Sequence, residues 1–322
     1  MLISKKLKLI FIFFLSTFIS NCESDKSKFF EEIKFGSHEY FLNKFGGVYE
    51  NALLQNYITS LGSLISNSMK LNEYKLNFYI LNSSSLNIFS SNKKNIYITR
   101  GIIILCNNES QLANLLAHQL AHIKANHNPT QKKSYISWNK NSLKYQEGKA
   151  KENLSYQPLK IKLPLYSYSQ EDEANKISID ALNRISFSFN DYININKSVK
   201  KFLKFKYDLY SWKELKYDIQ NIHPSSEENL KKFLDKYESR RQKNPIKGRQ
   251  YFLKKIDGTV YEDLRENKII VRSPRTNESF ESFTLRNGIV TNKSKELFMI
   301  LNDLTNYEID SKKKFKIITE QN

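Results

Sequence analysis

Two histidines four residues apart stand in the run His118-Gln119-Leu120-Ala121-His122. On a helix such a pair shares one face. Two imidazoles there can grip one zinc ion, which takes nitrogen ligands in a tetrahedral site. The same spacing also suits two surface histidines, so the neighbours matter. Leu112, Leu115, Leu116, Leu120 and Ile123 form an apolar stripe that buries one side of the helix. The histidines lie at its edge, where a cleft floor would be. A third oxygen donor is offered downstream by Ser169-Gln170-Glu171-Asp172-Glu173-Ala174-Asn175. No acidic side chain lies between Gln111 and His127, so a proton acceptor for hydrolysis would have to come from elsewhere. His127 reads as a cap or surface contact, and His38 has no partner at a useful spacing.

The elements that would carry these residues follow from pattern. The histidine helix runs from about Asn108 to Lys124, with Asn108 as cap and Gln111 three residues on, as in a capping box. Helical spacing of apolar residues marks Phe45–Ser66 and Ser169–Arg184, and Glu227 to about Arg241 reads as another helix. Tyr74–Leu81 alternates as a half-buried strand, Ser83–Lys94 reads as a polar loop, and Asn95–Thr99 reads as a second strand. The Lys- and Asn-rich stretch Asn126–Tyr156 shows little periodicity and reads as a mobile or weakly helical excursion. Beyond Ile246 a β-rich module is expected. Lys268–Arg272 is its strand, and Asn287-Gly288 between two apolar triplets is a hairpin signal.

Composition narrows the function classes. Two cysteines exclude a disulfide framework and a cysteine-built zinc site. Cys106 lies in an apolar run and reads as a small core residue. The net charge of +18 comes from scattered lysines with no arginine-rich stripe, which speaks against nucleic acid and leaves attraction to an anionic membrane surface. Lys5, Lys6 and Lys8 precede the apolar run Leu9–Ile19, followed by Ser20, Asn21 and Cys22. This is the order of a secretory signal peptide; a plain signal anchor is the other reading.

Several segments resemble a known family. Cys22 sits in a context similar to a bacterial lipobox, with Asn21 where Gly or Ala is usual. Residues 1–21 then read as a lipoprotein-type signal peptide and 22–27 as a tether, with Cys22 acylated and the chain exported to the periplasmic side of a bacterial membrane. Phe45-Gly46-Gly47-Val48-Tyr49, Asn87-Ile88-Phe89-Ser90 and Ile96–Gly101 are similar to the opening signature, loop and edge strand of the HtpX-like and BepA-like zinc metallopeptidases of peptidase family M48. His118–His122 falls on that family's HExxH motif, and Glu171 on the first glutamate of its Glu-x-Glu-Ala-Asp. His223-Pro224 resembles a histidine-proline element whose histidine can sit over the zinc, and Phe252–Tyr261 resembles the C-terminal module of lipoprotein members.

The resemblance implies an α+β fold: a zincin-like domain over about 28–242 and a small β-rich C-terminal module over 246–322. It implies one Zn²⁺ per chain on His118, His122 and Glu171, with His223 as gate or fourth ligand. Unfolded or extended polypeptides would be its substrates or clients, with outer-membrane protein quality control as the setting. The strand near Asn95–Arg100 would pair with such a client by β-addition. Two departures stand out. Gln119 replaces the general-base glutamate, and Asn175 replaces the aspartate expected to orient a ligand. An amide cannot take a proton from water near neutral pH, so hydrolysis is expected to be impaired while zinc binding survives.

Overall fold

The computed structural model describes residues 36–91, 93–128, 131–137, 159–207, 235, 245–262 and 267–319. The chain divides between Asn43 and Lys44, and Lys44–Asn322 makes the larger unit. The described residues of the smaller unit carry most of helix α1 (His38–Lys44), whose start is held by Ser37 Oγ accepting the Tyr40 N–H at 3.1 Å.

In the larger unit, helix α2 (Ala52–Ser68) starts later than the periodicity suggests. Asn51 Oδ1 accepts the Leu54 N–H at 2.9 Å and fixes the first turn. The preceding Phe45–Tyr49 is turn and bridge instead: Val48 pairs with Leu81. Strands β1 (Asn77–Leu81), β2 (Ile88–Ser91) and β3 (Asn95–Thr99) form a mixed sheet in the order β1-β3-β2. β3 runs parallel to β1 and antiparallel to β2.

Two expectations change here. Part of the Ser83–Lys94 loop is strand β2. And β3, expected at the edge, is central, with every residue buried and both flanks paired. A client strand therefore cannot add to it. The outer flank of β1 is also engaged. Gln55 Nε2 donates to Phe78 O at 2.9 Å, Gln55 Oε1 accepts from Ile80 N at 3.2 Å, and Tyr49 N donates to Ile80 O at 2.8 Å.

Helix α3 (Arg100–Leu105) follows β3 without a loop. Gly101 is required at this junction: its N–H donates to Ser83 O at 3.1 Å, and a Cβ would run into the Ser84 carbonyl. Helix α4 (Glu109–Lys124) begins where its cap predicts. Asn108 Oδ1 accepts from Gln111 N at 2.8 Å, and Gln111 Oε1 reaches back to the Asn107 N–H, one residue beyond an ordinary capping box. The sequence suggests that α4 buries one face. In fact Ser110–Ile123 is buried all round, so its polar stripe is interior and must find partners there. Asn114 Nδ2, for instance, donates to Ser110 O at 2.7 Å and Ser188 O at 2.8 Å.

The stretch after α4 is not helical where it is described. β4 (Gln131–Ser137) pairs antiparallel with β5 (Leu159–Leu165). Helix α5 (Tyr168–Arg184) carries a complete capping box between Ser167 and Gln170. Helix α6 (Asn190–Tyr207) has no counterpart in the sequence reading, although Tyr192, Ile195, Val199 and Phe202 lie at helical spacing and are buried. The expected helix over Glu227–Arg241 lies outside the described residues, apart from Asp235, which is helical.

The C-terminal stretch contains the expected small sheet, β6 (Ile269–Arg272) antiparallel to β7 (Phe315–Ile318). It also has helices α7 (Arg249–Ile256), α8 (Phe280–Arg286) and α9 (Asn292–Asn302). The hairpin expectation is overturned: Asn287-Gly288 joins two helices. Gly288, at φ +74°, follows the end of α8, where a left-handed residue stops a helix as readily as it turns a hairpin. Ser279 and Thr291 cap α8 and α9.

Phe280, Phe283, Phe298 and Phe315 form a small core of their own, while Phe252, Leu253 and Ile256 join the main one. Lys316 is fully buried and donates from Nζ to Ile104 O and Cys106 O, each at 2.8 Å, at the C-terminal end of α3. Burial, then the nearby Arg249 guanidinium, holds its pKa well below the usual lysine value. Cys106 is buried as expected, and burial pushes its thiol up to about 12. Among the described residues, no helix is long and apolar enough to cross a membrane.

Candidate metal centre

Helices α4 and α5 bring together three donors separated by 53 residues of chain. His118 Nε2 lies 3.0 Å from Glu171 Oε2, His122 Nε2 lies 3.8 Å from the same oxygen, and the two Nε2 atoms are 3.1 Å apart. All three side chains are buried, and their candidate ligand atoms lie within 4.8 Å of one another. The α-helical repeat puts His118 and His122 on one face, and the Ser167 cap fixes the first turn of α5, from which Glu171 projects.

Zinc–nitrogen bonds of about 2.0–2.1 Å at tetrahedral angles place two nitrogens about 3.3 Å apart, close to the separation here. Two imidazoles and one carboxylate are also the donor set of catalytic zinc, which leaves one of four positions for another ligand. The residues fit the metal. Glu173, the competing donor, points elsewhere: its side chain is 59% exposed and pairs with His127. Among the described residues, Glu171 is the carboxylate that stands with His118 and His122.

The amino-acid sequence of residues 52–236, more than half of the chain, matches the family model of Peptidase family M48. The chain belongs to that family. No curated protein matches it. Family membership and the buried His118–His122–Glu171 group together make it a zinc metallopeptidase-like protein.

Gln119 and Asn175, read from the sequence as departures from the family's two motifs, are both buried. Gln119 follows His118 on α4 and is 3% exposed, and its Oε1 has no hydrogen-bond partner among the described residues. Asn175, one turn after Glu171 on α5, is equally buried, and its Oδ1 is in the same position. Each is a buried acceptor with no donor among the described residues, an arrangement that costs about 1–3 kcal/mol.

Two tyrosines not singled out from the sequence pack on the ligands. Tyr166, just after β5, stacks on His122 with centroids 3.7 Å apart at 13°. Tyr192, from α6, stacks on His118 at 5.3 Å and 23°. Burial raises both phenols, and the Glu171 carboxylate adds to this, Tyr192 standing well above the ordinary value. They remain neutral packing walls at any working pH. The Tyr166 hydroxyl lies 3.4 Å from Ser90 Oγ, so it ties the site to β2. The helical spacing of α6 could have revealed Tyr192; Tyr166 carries no local signal. His127, read as a cap or surface contact, in fact lies against His122. His223 and Cys22 lie outside the described residues.

Proposed function

We propose that this M48 protein is a zinc-binding member of the bacterial cell envelope that is tethered through Cys22 and handles unfolded or extended polypeptide with impaired proteolysis. The observation that carries the reading is Gln119, buried one residue after a ligand in the place of the family's general base. Zinc held by His118, His122 and Glu171 would supply Lewis-acid polarisation of a carbonyl group and acidification of water. The rest falls to the protein. An amide oxygen can accept a hydrogen bond from water and so orient it. It cannot take the proton away, nor return it to the leaving amine, and that transfer is worth about 10²–10⁴-fold. A client strand joining the sheet would have to use β2, because β3 is central and β1 is engaged by Gln55 and Tyr49. His223, ahead of the stiff Pro224, would gate the metal.

Metal analysis of the purified protein, followed by cleavage of casein or a quenched peptide with and without chelator, tests this. One zinc per chain with negligible chelator-sensitive cleavage supports it. Robust cleavage by the natural protein would show another base and overturn the impairment. Zinc retention with no cleavage even after Gln119→Glu would favour the second reading, a non-catalytic zinc pseudoprotease or chaperone-like binding module. Mass spectrometry of Cys22 tests the tether: an unmodified cysteine with Met1 attached would favour a signal anchor.

A further inference from the structure

We propose that His127, backed by Glu173, is a positioning residue that locks His122 into its metal-ligating tautomer and orientation. The inference rests on the reading of His118, His122 and Glu171 as a zinc site. His122 Nδ1 lies 3.0 Å from His127 Nδ1, and His127 Nε2 lies 3.1 Å from Glu173 Oε2. The protons follow from one requirement. For His122 Nε2 to offer a lone pair to a metal, the ring proton must sit on Nδ1. His127 Nδ1 must then be the acceptor, which leaves its proton on Nε2, and that proton is donated to the Glu173 carboxylate. Each link has one consistent direction, and the opposite direction would place a proton on the nitrogen that must bind. A carboxylate–imidazole–ligand chain of this kind fixes ring orientation and raises ligand basicity.

The local fold is built to deliver His127 to this place. Helix α4 ends with Ala125 as cap and Asn126 in the left-handed region at φ +57°, a conformation that asparagine tolerates better than most residues. The chain therefore turns back on itself. The Asn126 N–H donates to Ile123 O and the His127 N–H to His122 O, both at 3.0 Å. These bonds set the two imidazoles side by side, and His127 keeps only 6% of its side chain exposed. Tyr166 covers the face of the His122 ring. Two residues thus hold the His122 ring: Tyr166 stacks on its face and His127 meets its Nδ1.

The test is zinc affinity of the full folded protein, measured by competition with a chromogenic chelator, with no cleavage assay needed. His127→Leu is expected to weaken zinc binding about 10–100-fold, the usual effect of removing a partner that orients a ligand. His127→Asn, whose Oδ1 can stand in for the lost Nδ1 acceptor, should recover most of that loss. Glu173→Gln lies on an exposed side chain and should fold normally; it should weaken binding by about tenfold. That variant decides the matter if His127→Leu does not fold. Natural affinity in both His127→Leu and Glu173→Gln, with one zinc still bound by the unaltered protein, would overturn the inference while leaving the zinc site intact. Failure of the unaltered protein to bind zinc would instead overturn the site reading on which the inference stands.

Discussion

The two halves of the metal centre are furnished differently. Around His122 the polar groups find partners: His127 on the outer nitrogen, Glu173 behind it, and a tyrosine ring across the face. On the other half, Gln119 and Asn175 are buried with acceptor oxygens that no described donor meets. The first half braces one of the three candidate metal ligands; in the second, neutral amides stand where the sequence resemblance expects carboxylates. The halves differ in burial as well: Glu173 is 59% exposed, whereas Gln119 and Asn175 are both buried. The difference teaches that metal retention and proton transfer are separable demands on one site. This chain brings three candidate ligands together for the first and carries neutral amides at Gln119 and Asn175.

The largest test of this contrast is Gln119→Glu. A carboxylate at that position should raise chelator-sensitive cleavage of an unfolded substrate by about 10²–10⁴-fold over the natural protein. An unchanged rate would mean that the deficit lies elsewhere, and the comparison would fail. Metal removal comes next. Zinc present at 100 times its dissociation constant contributes about 2.7 kcal/mol, so stripping it should lower the melting temperature by on the order of 5 °C. A melting curve indifferent to chelator would deny that the first half holds a metal. The contrast is sharpened by a change remote from both halves. Lys316→Met leaves buried carbonyls at the end of α3 without donors and should cost about 1–3 kcal/mol in urea unfolding, with zinc stoichiometry unchanged. The smallest effect is expected from Asn175→Asp in the Gln119→Glu background, a further gain of at most about tenfold in zinc affinity. A loss there would show that the neutral amide is suited to its place.

Much of the site was legible in the sequence because it is local. His118 and His122 share a helix whose cap, Asn108, is readable one turn before the polar stripe begins. Glu171 needed a motif register, since Glu173 offers the same chemistry two residues away and only the fold turns one inward and the other outward. What escaped depends on contacts distant in sequence. β2 is four residues long and has no pattern of its own; its pairing with β3 defines it. The position of β3 between two strands shows only in its burial on both faces. Asn287-Gly288 is ambiguous in principle, since a left-handed glycine serves a hairpin and a helix end alike, and the caps Ser279 and Thr291 were the signals that could have decided it. His127 was legible as a residue but not as a partner of His122, because that depends on the turn at Asn126.

The buried lysine of β7 has a consequence for the order in which the protein is made. Lys316 follows Ile104, one of the carbonyls it caps, by 212 residues. A ribosome adding about 5–20 residues per second needs roughly 10–40 s to cover that distance. During that interval the C-terminal end of α3 lacks its Lys316 donor, although the last of the three candidate ligands, Glu171, is made 145 residues before Lys316. The capping of α3 therefore waits on a strand made about 212 residues later.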